Sequence, residues 1–128
     1  MVDKRTINAA DAPPAVGGYS QALEISNFER VLFISGQIPE TQDGTVPKDF
    51  KAQCELVWTN IQAQLAAAQM TLDNLAKITI YLADRRYATE NSDVRQAVLG
   101  DRKPALTVII TGIFDESWLL EIEAIAVA

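Results

Sequence analysis

Residues 119–128, Leu-Leu-Glu-Ile-Glu-Ala-Ile-Ala-Val-Ala, give the clearest fold signal in this chain of 128 residues. Apolar residues there alternate with two carboxylates, which is typical of a strand that runs through a core. Glu121 and Glu123 are two residues apart, so their side chains point to the same face of that strand. We therefore predict a strand over Leu119–Val127 with both glutamates on one face.

These glutamates are the first candidates for chemistry. Burial without a partner raises the pKa of a carboxyl group, so a glutamate in a strongly apolar strand is a candidate general acid or base. Two structural alternatives remain open for the pair: a solvated edge of the sheet, or a salt bridge across the sheet, for instance to Lys77.

The preceding segments predict two helices and two more strands. Apolar residues of one helix recur at steps of 3, 4 and 1, which places Cys54 and Trp58 in a buried stripe rather than in a binding site. Gly100 and Pro104 terminate the other helix. The predicted segments are a helix over Asp49–Gln69, a strand over Ala76–Leu82, a helix over Tyr87–Leu99 and a strand over Ala105–Thr111.

The first 34 residues predict strands separated by a loop. An extended start lies at Thr6–Asn8, and two Pro and two Gly prevent regular structure over Ala12–Gly18. The strands Gln21–Ile25 and Arg30–Ile34 are interpreted as a hairpin. The order β-β-β-α-β-α-β-β predicts one α+β domain over residues 1–128, a two-layer sandwich with a six-stranded mixed sheet and both helices on one face. The second face is left without a cover, which predicts a homo-oligomer.

Composition excludes several kinds of site. The chain has no His and a single Cys, Cys54. This removes Ser-His-Asp and Cys-His catalysis, zinc sites built from His and Cys, and any disulfide within the chain. The net charge of −6 argues against nucleic-acid partners. We find no signal peptide or membrane span and expect a cytoplasmic protein without membrane association.

Several stretches, taken in order from about residue 12 to residue 127, resemble the Rid family of small reactive-intermediate deaminases, whose older name is endoribonuclease L-PSP. No single stretch is decisive, but matches in order along the whole chain are specific. The matching stretches are Ala12–Gln21, Ser35–Pro39, Val46–Pro47, Ala52–Gln53, Asn60–Ile61, Asp73–Thr79, Asn91, Pro104–Ala105 and Glu121–Ala126.

The resemblance implies a chorismate mutase-like α+β fold and a homotrimer, with a small-molecule ligand in a cleft between subunits. It also implies hydrolysis of short enamines or imines to a 2-keto acid and ammonia, with no cofactor and no metal. In that scheme Glu121 positions or activates water, and Tyr19, Ser35, Gly36 and Asn91 shape the cleft.

One expected residue is missing. Where the family has Pro-Ala-Arg, this chain has Pro104-Ala105-Leu106, and Val108 stands where a Cys is common. Loss of a guanidinium that binds a carboxylate costs about 2–5 kcal/mol. We therefore expect weak or no activity on the imines of pyruvate and 2-oxobutanoate, and a preference of Leu106 and Val108 for a neutral or apolar ligand. Arg102 or Lys103 could replace the cation, although both are expected to face solvent.

Three functions follow. The first is hydrolytic deamination of a small imine, enamine or related metabolite by Glu121. The second is a non-catalytic binding or regulatory trimer with the same cleft. The third, a ribonuclease that inhibits translation, is disfavoured by the acidic chain and by the lack of His for acid–base work.

Overall fold

The computed structural model describes residues 2–128 and confirms the predicted order of strands and helices. Every predicted element is present, and the bounds differ from the prediction by a few residues. The elements are β1 Asp3–Ile7, β2 Ala22–Ser26, β3 Val31–Gln37, α1 Phe50–Ala67, β4 Leu75–Leu82, α2 Ala88–Leu99, β5 Ala105–Ile110 and β6 Leu120–Val127.

The strands form a four-stranded mixed sheet in the order β3-β6-β4-β5 and a separate antiparallel pair, β1-β2. β6 is antiparallel to both of its neighbours, while β4 and β5 are parallel. An isolated parallel bridge joins Ser20, just before β2, to Ala105 at the start of β5. The predicted six strands are therefore divided between two sheets rather than joined in one.

The predicted hairpin of β2 with β3 is wrong. β2 pairs with β1, where Arg5 and Glu24 form an exposed salt bridge of 3.1 Å. The apolar residues of β3 pair with the apolar end of β6, with Ile34 opposite Ala124. Burial decides this choice of partner, because both Ile34 and Ala124 lie in the core whereas the residues of β1 and β2 are exposed or half-buried.

Helix α1 supplies most of one layer. Asp49 caps its first turn by accepting a hydrogen bond of 3.1 Å from the Ala52 N–H. Cys54 and Trp58 are fully buried on its inner face, as the periodicity predicts. The pKa of the Cys54 thiol is raised to about 12, mainly by burial.

The core lies between the helices and one face of the four-stranded sheet. Along β6 the even-numbered residues Leu120, Ile122, Ala124 and Ala126 are buried on that face. Because side chains alternate along a strand, Glu121 and Glu123 lie on the opposite face. We call this opposite face the open face.

The open face includes exposed apolar side chains. Phe33 is 75% exposed, and Val31 and Ile109 are about two-fifths exposed. No helix within residues 2–128 combines the length and the apolar content that a membrane crossing needs.

Candidate functional site

The carboxylate of Glu121 lies directly against the backbone of β3. Two residues of β3, Ser35 and Gly36, stand opposite the single residue Glu123, which makes a β-bulge at this point. A Cβ atom built on Gly36 would lie 1.8 Å from Oε2 of Glu121. Only glycine therefore leaves room for the carboxylate in this position.

Tyr81 holds the second carboxylate. Its hydroxyl donates a hydrogen bond of 2.7 Å to Oε1 of Glu123, and this bond is the main reason why the pKa of Tyr81 is raised. The alternative salt bridge between Glu123 and Lys77 is not formed, because Lys77 Nζ donates to Thr107 Oγ1 at 2.6 Å. β6 is also an inner strand, so the glutamates do not lie on a sheet edge.

A groove on the open face exposes both carboxylates. It has a volume of about 360 Å³, and we call it the glutamate groove. The pKa of Glu121 is raised, first by burial and second by the charge of Glu123. A carboxyl group whose pKa is raised in this way holds a proton more readily than an ordinary glutamate, as an acid–base group requires. The groove is lined by Tyr81, Thr111, Gly112, Ile113, Phe114, Glu121 and Glu123.

Leu106 and Val108 lie on the other face of the sheet. They stand opposite Ile78 and Ile80, which are buried beneath the helices. Leu106 is half-buried and packs against the core, while Val108 is 38% exposed on the edge strand β5.

Tyr19 and Asn91 also lie on the helix side. The Ser20 N–H, one residue after Tyr19, donates to the Pro104 carbonyl at 3.1 Å, which fixes this segment to the start of β5. Asn91 is buried in α2, and its Oδ1 is 4.0 Å from Sγ of Cys54. One chain thus brings Ser35 and Gly36 to Glu121 but leaves the other predicted site residues behind the sheet.

Neither Arg102 nor Lys103 is placed as a replacement cation. Arg102 donates to Asp73 Oδ1 at 2.7 Å and to the Leu99 carbonyl at 3.2 Å, so its guanidinium is already occupied. The Lys103 residue is exposed.

Two residues were not predicted from the sequence: Tyr81, which binds Glu123, and Arg95, a buried cation on α2. Tyr81 precedes the end of β4 and lies in register with Glu121, which only the pairing of β4 with β6 reveals. Arg95 is 5% exposed and lies on the buried face of α2 with Asn91, Val94 and Leu99. An arginine in the apolar stripe of a helix is a signal that helical periodicity can detect.

Metal-ligating side chains do not gather anywhere in the described chain: residues 2–128 contain no group of three or more His, Cys, Asp or Glu placed to bind an ion.

Comparisons with known proteins agree with the fold. Residues 9–128 match the family model described as Endoribonuclease L-PSP. The RutC family protein PH0854 of Pyrococcus horikoshii is 38% identical over 125 residues, which cover 96% of this chain and 97% of the relative.

Two solved structures show the same architecture. The Rid family protein YyfB of Yersinia pestis, described as of unknown function, superposes with a TM-score of 0.85 at 24% identity, covering 98% of both chains. E. coli TdcF with bound serine gives a TM-score of 0.74 at 28% identity, covering 97% of this chain and 98% of TdcF.

Proposed function

Because the chain belongs to the endoribonuclease L-PSP family, which includes the Rid and RutC proteins, we propose that it hydrolyses a small imine or enamine to a carbonyl compound and ammonia. The observation that favours this chemistry most is the carboxylate of Glu121, which lies against Gly36 in the glutamate groove. Its pKa is raised by burial, as expected for an acid–base group.

In the proposed reaction Glu121 acts on water. Its carboxylate takes a proton from a water molecule while the water oxygen forms a bond to the imine carbon and the C=N π electrons move to nitrogen. The nitrogen then receives the proton from Glu121. The hydroxyl oxygen next gives its proton to Glu121, which passes it to the nitrogen. The C–N bond then breaks as C=O forms, and the nitrogen leaves as neutral ammonia.

Glu123 and Tyr81 support Glu121 without exchanging protons with the substrate. The phenol of Tyr81 fixes the position of Glu123 through their hydrogen bond. The charge of Glu123 helps to raise the pKa of Glu121. The pair therefore keeps Glu121 able to accept a proton from water and to return it later.

We further propose that the ligand cleft lies between subunits of a homotrimer. Glu121 lies on the open face, whereas Leu106, Asn91 and Tyr19 lie on the helix side, so one chain does not bring the two groups together. The exposed Phe33 and Ile109 on the open face are suited to contact a second copy.

Ammonia release tests the reaction. Freshly generated imines of different size and polarity are incubated with the protein, with Glu121→Gln, and with Glu55→Gln as a control on the exposed side of α1. Loss of an acid–base group costs about 10²–10⁴-fold in rate. The rate of ammonia release should therefore fall by that factor in Glu121→Gln, while the rate of Glu55→Gln should equal that of the parent protein. Equal rates for all three proteins would exclude the mechanism.

A non-catalytic binding trimer is the second candidate. Leu106 favours it, since apolar surface lies where the family resemblance places a cation. A small molecule that co-purifies with the protein, together with no turnover of any imine, would decide for this function. RNA cleavage is disfavoured by the net charge of −6 and by the lack of His. The cytoplasmic location and the lack of a cofactor stay predictions.

A further inference from the structure

Arg95 is a buried cation without a counter-ion. Its residue is 5% exposed, yet residues 2–128 form salt bridges only between Arg5 and Glu24 and between Arg102 and Asp73. Burial of a charged group is unfavourable unless an opposite charge or several hydrogen bonds compensate for it. The placement of Arg95 therefore indicates a partner that residues 2–128 do not supply.

The hydrogen bonds of Arg95 leave part of its guanidinium free. Nη2 donates to the Gly17 carbonyl at 2.6 Å and makes a long contact of 3.5 Å with Oγ of Ser92. Nε is buried and has no hydrogen-bond partner. A guanidinium presents its N–H groups in a planar fork that matches the two oxygens of a carboxylate. The unpartnered Nε–H lies in that fork next to Nη2, which already donates to the Gly17 carbonyl.

The surroundings of Arg95 add neutral polar groups. Oγ of Ser92 lies 3.5 Å from Nη2 and already accepts a hydrogen bond of 2.9 Å from Gln96. The backbone of Gly17, at positive φ, lies against the guanidinium, since a Cβ atom built there would be 3.6 Å from Nη2 of Arg95. Because glycine has no side chain, only backbone atoms of this residue lie against the guanidinium.

A charged side chain is not needed to hold the Gly17 backbone in place. The bond to Gly17 uses one N–H of Nη2, which a neutral amide donor could replace without the cost of burying an ion. Gly17 lies three residues before Ser20, whose N–H donates a hydrogen bond to the Pro104 carbonyl at the start of β5. Arg95 thus lies on the helix side of the sheet, as Leu106 does.

We propose that Arg95, together with Ser92, forms a binding site for a small carboxylate anion. This site would define the class of ligand for the proposed function. The proposal depends on that function only for the identity of the natural ligand. The site supplies from α2 the cation that position 106 lacks, so an anionic ligand is accepted despite Leu106.

Side-chain NMR of the unaltered protein tests the site directly. The Nε–Hε resonance of Arg95 is followed while sodium 2-oxobutanoate is added, and the titration is repeated with butanone, a neutral ketone of similar size. We expect a saturable shift with the anion and none with butanone at the same concentration. No shift, or equal shifts with both compounds, would overturn the proposal.

Variants measure the contribution of the charge. Loss of a charge-assisted contact of this kind is expected to weaken 2-oxobutanoate binding by about 30-fold or more in Arg95→Gln, with Arg95→Lys in between. Arg85→Gln, at an exposed position outside the site, should bind like the parent protein. Unchanged binding in a folded Arg95→Gln would refute the site, and if that variant does not fold, Arg95→Lys and the NMR titration decide.

The same measurements separate this site from the proposed reaction. Glu121→Gln should lose ammonia release yet bind 2-oxobutanoate normally. Anion binding at Arg95 without any turnover would refute the reaction alone. Turnover that is unaffected in Arg95→Gln would refute the site alone.

Discussion

Gly36→Ala is expected to displace the Glu121 carboxylate while leaving the fold intact. The new Cβ would lie 1.8 Å from Oε2, and real Cβ atoms essentially never approach closer than 3.0 Å, so the oxygen must retreat by at least 1.2 Å (3.0 minus 1.8). A misplacement of about 1 Å costs about 10²-fold in rate. We therefore expect kcat/KM for ammonia release to fall about 100-fold, or ~2.7 kcal/mol in the activation barrier.

Stability should change little in Gly36→Ala. Gly36 is not among the glycines at positive φ, so alanine fits its backbone conformation. The atom that must move is the far end of a flexible side chain. Replacement of glycine at a compatible position changes stability by about 0.4–1 kcal/mol, chiefly through the unfolded state. The thermal midpoint should stay within roughly 5 °C of that of the parent protein.

A double-mutant cycle shows whether the effect passes through Glu121. Once the carboxylate is removed by Glu121→Gln, adding Gly36→Ala should reduce the rate little further, since the two changes affect one group. The reasoning is refuted if Gly36→Ala keeps the parent rate. It is equally refuted if the two losses simply multiply.

Three further outcomes are expected. Phe33→Lys places a charge at a side chain that is 75% exposed on the open face, so light scattering should show a folded monomer, and a persistent trimer would contradict the proposed assembly. Folding raises the pKa of Glu121 above 4.5, so this group's contribution to stability is present below pH 4.5 and is lost as pH rises through its raised value. Glu121→Gln should accordingly melt above the parent protein at pH 7, and the gap should close below about pH 4, whereas a gap that widens in acid would contradict it. Cys54 is fully buried with its pKa raised to about 12, so an aromatic disulfide reagent should label it at pH 8 only as fast as the chain opens, and rapid labelling of the native protein would disprove that burial.

Local periodicity was sufficient to predict the helices and the central strand. The 3.6-residue stripe through Cys54 and Trp58 specifies α1, and the alternation around Glu121 specifies β6. Strand pairing depends instead on contacts distant in the chain. β3 follows β2 in sequence but pairs with β6, about 90 residues further on, because that strand completes the core.

The candidate site was predictable only in part, because some of its contacts also join residues distant in the chain. Glu121 was found from its apolar surroundings, and Ser35 and Gly36 were found through the family resemblance. The bond between Tyr81 and Glu123 depends on the pairing of β4 with β6, which no local pattern specifies. Arg95 was detectable, because it interrupts the apolar stripe of α2, but its lack of a counter-ion becomes visible only when all neighbours are placed.

The separation of Glu121 from Arg95 by the sheet has a genetic consequence. A chain with Glu121→Gln retains an intact helix side, and a chain with Arg95→Gln retains an intact glutamate groove. In a homotrimer whose clefts lie between subunits, co-expression of these two inactive chains would restore some complete clefts. Two defective alleles would then complement each other, whereas two alleles altered in the same half would not.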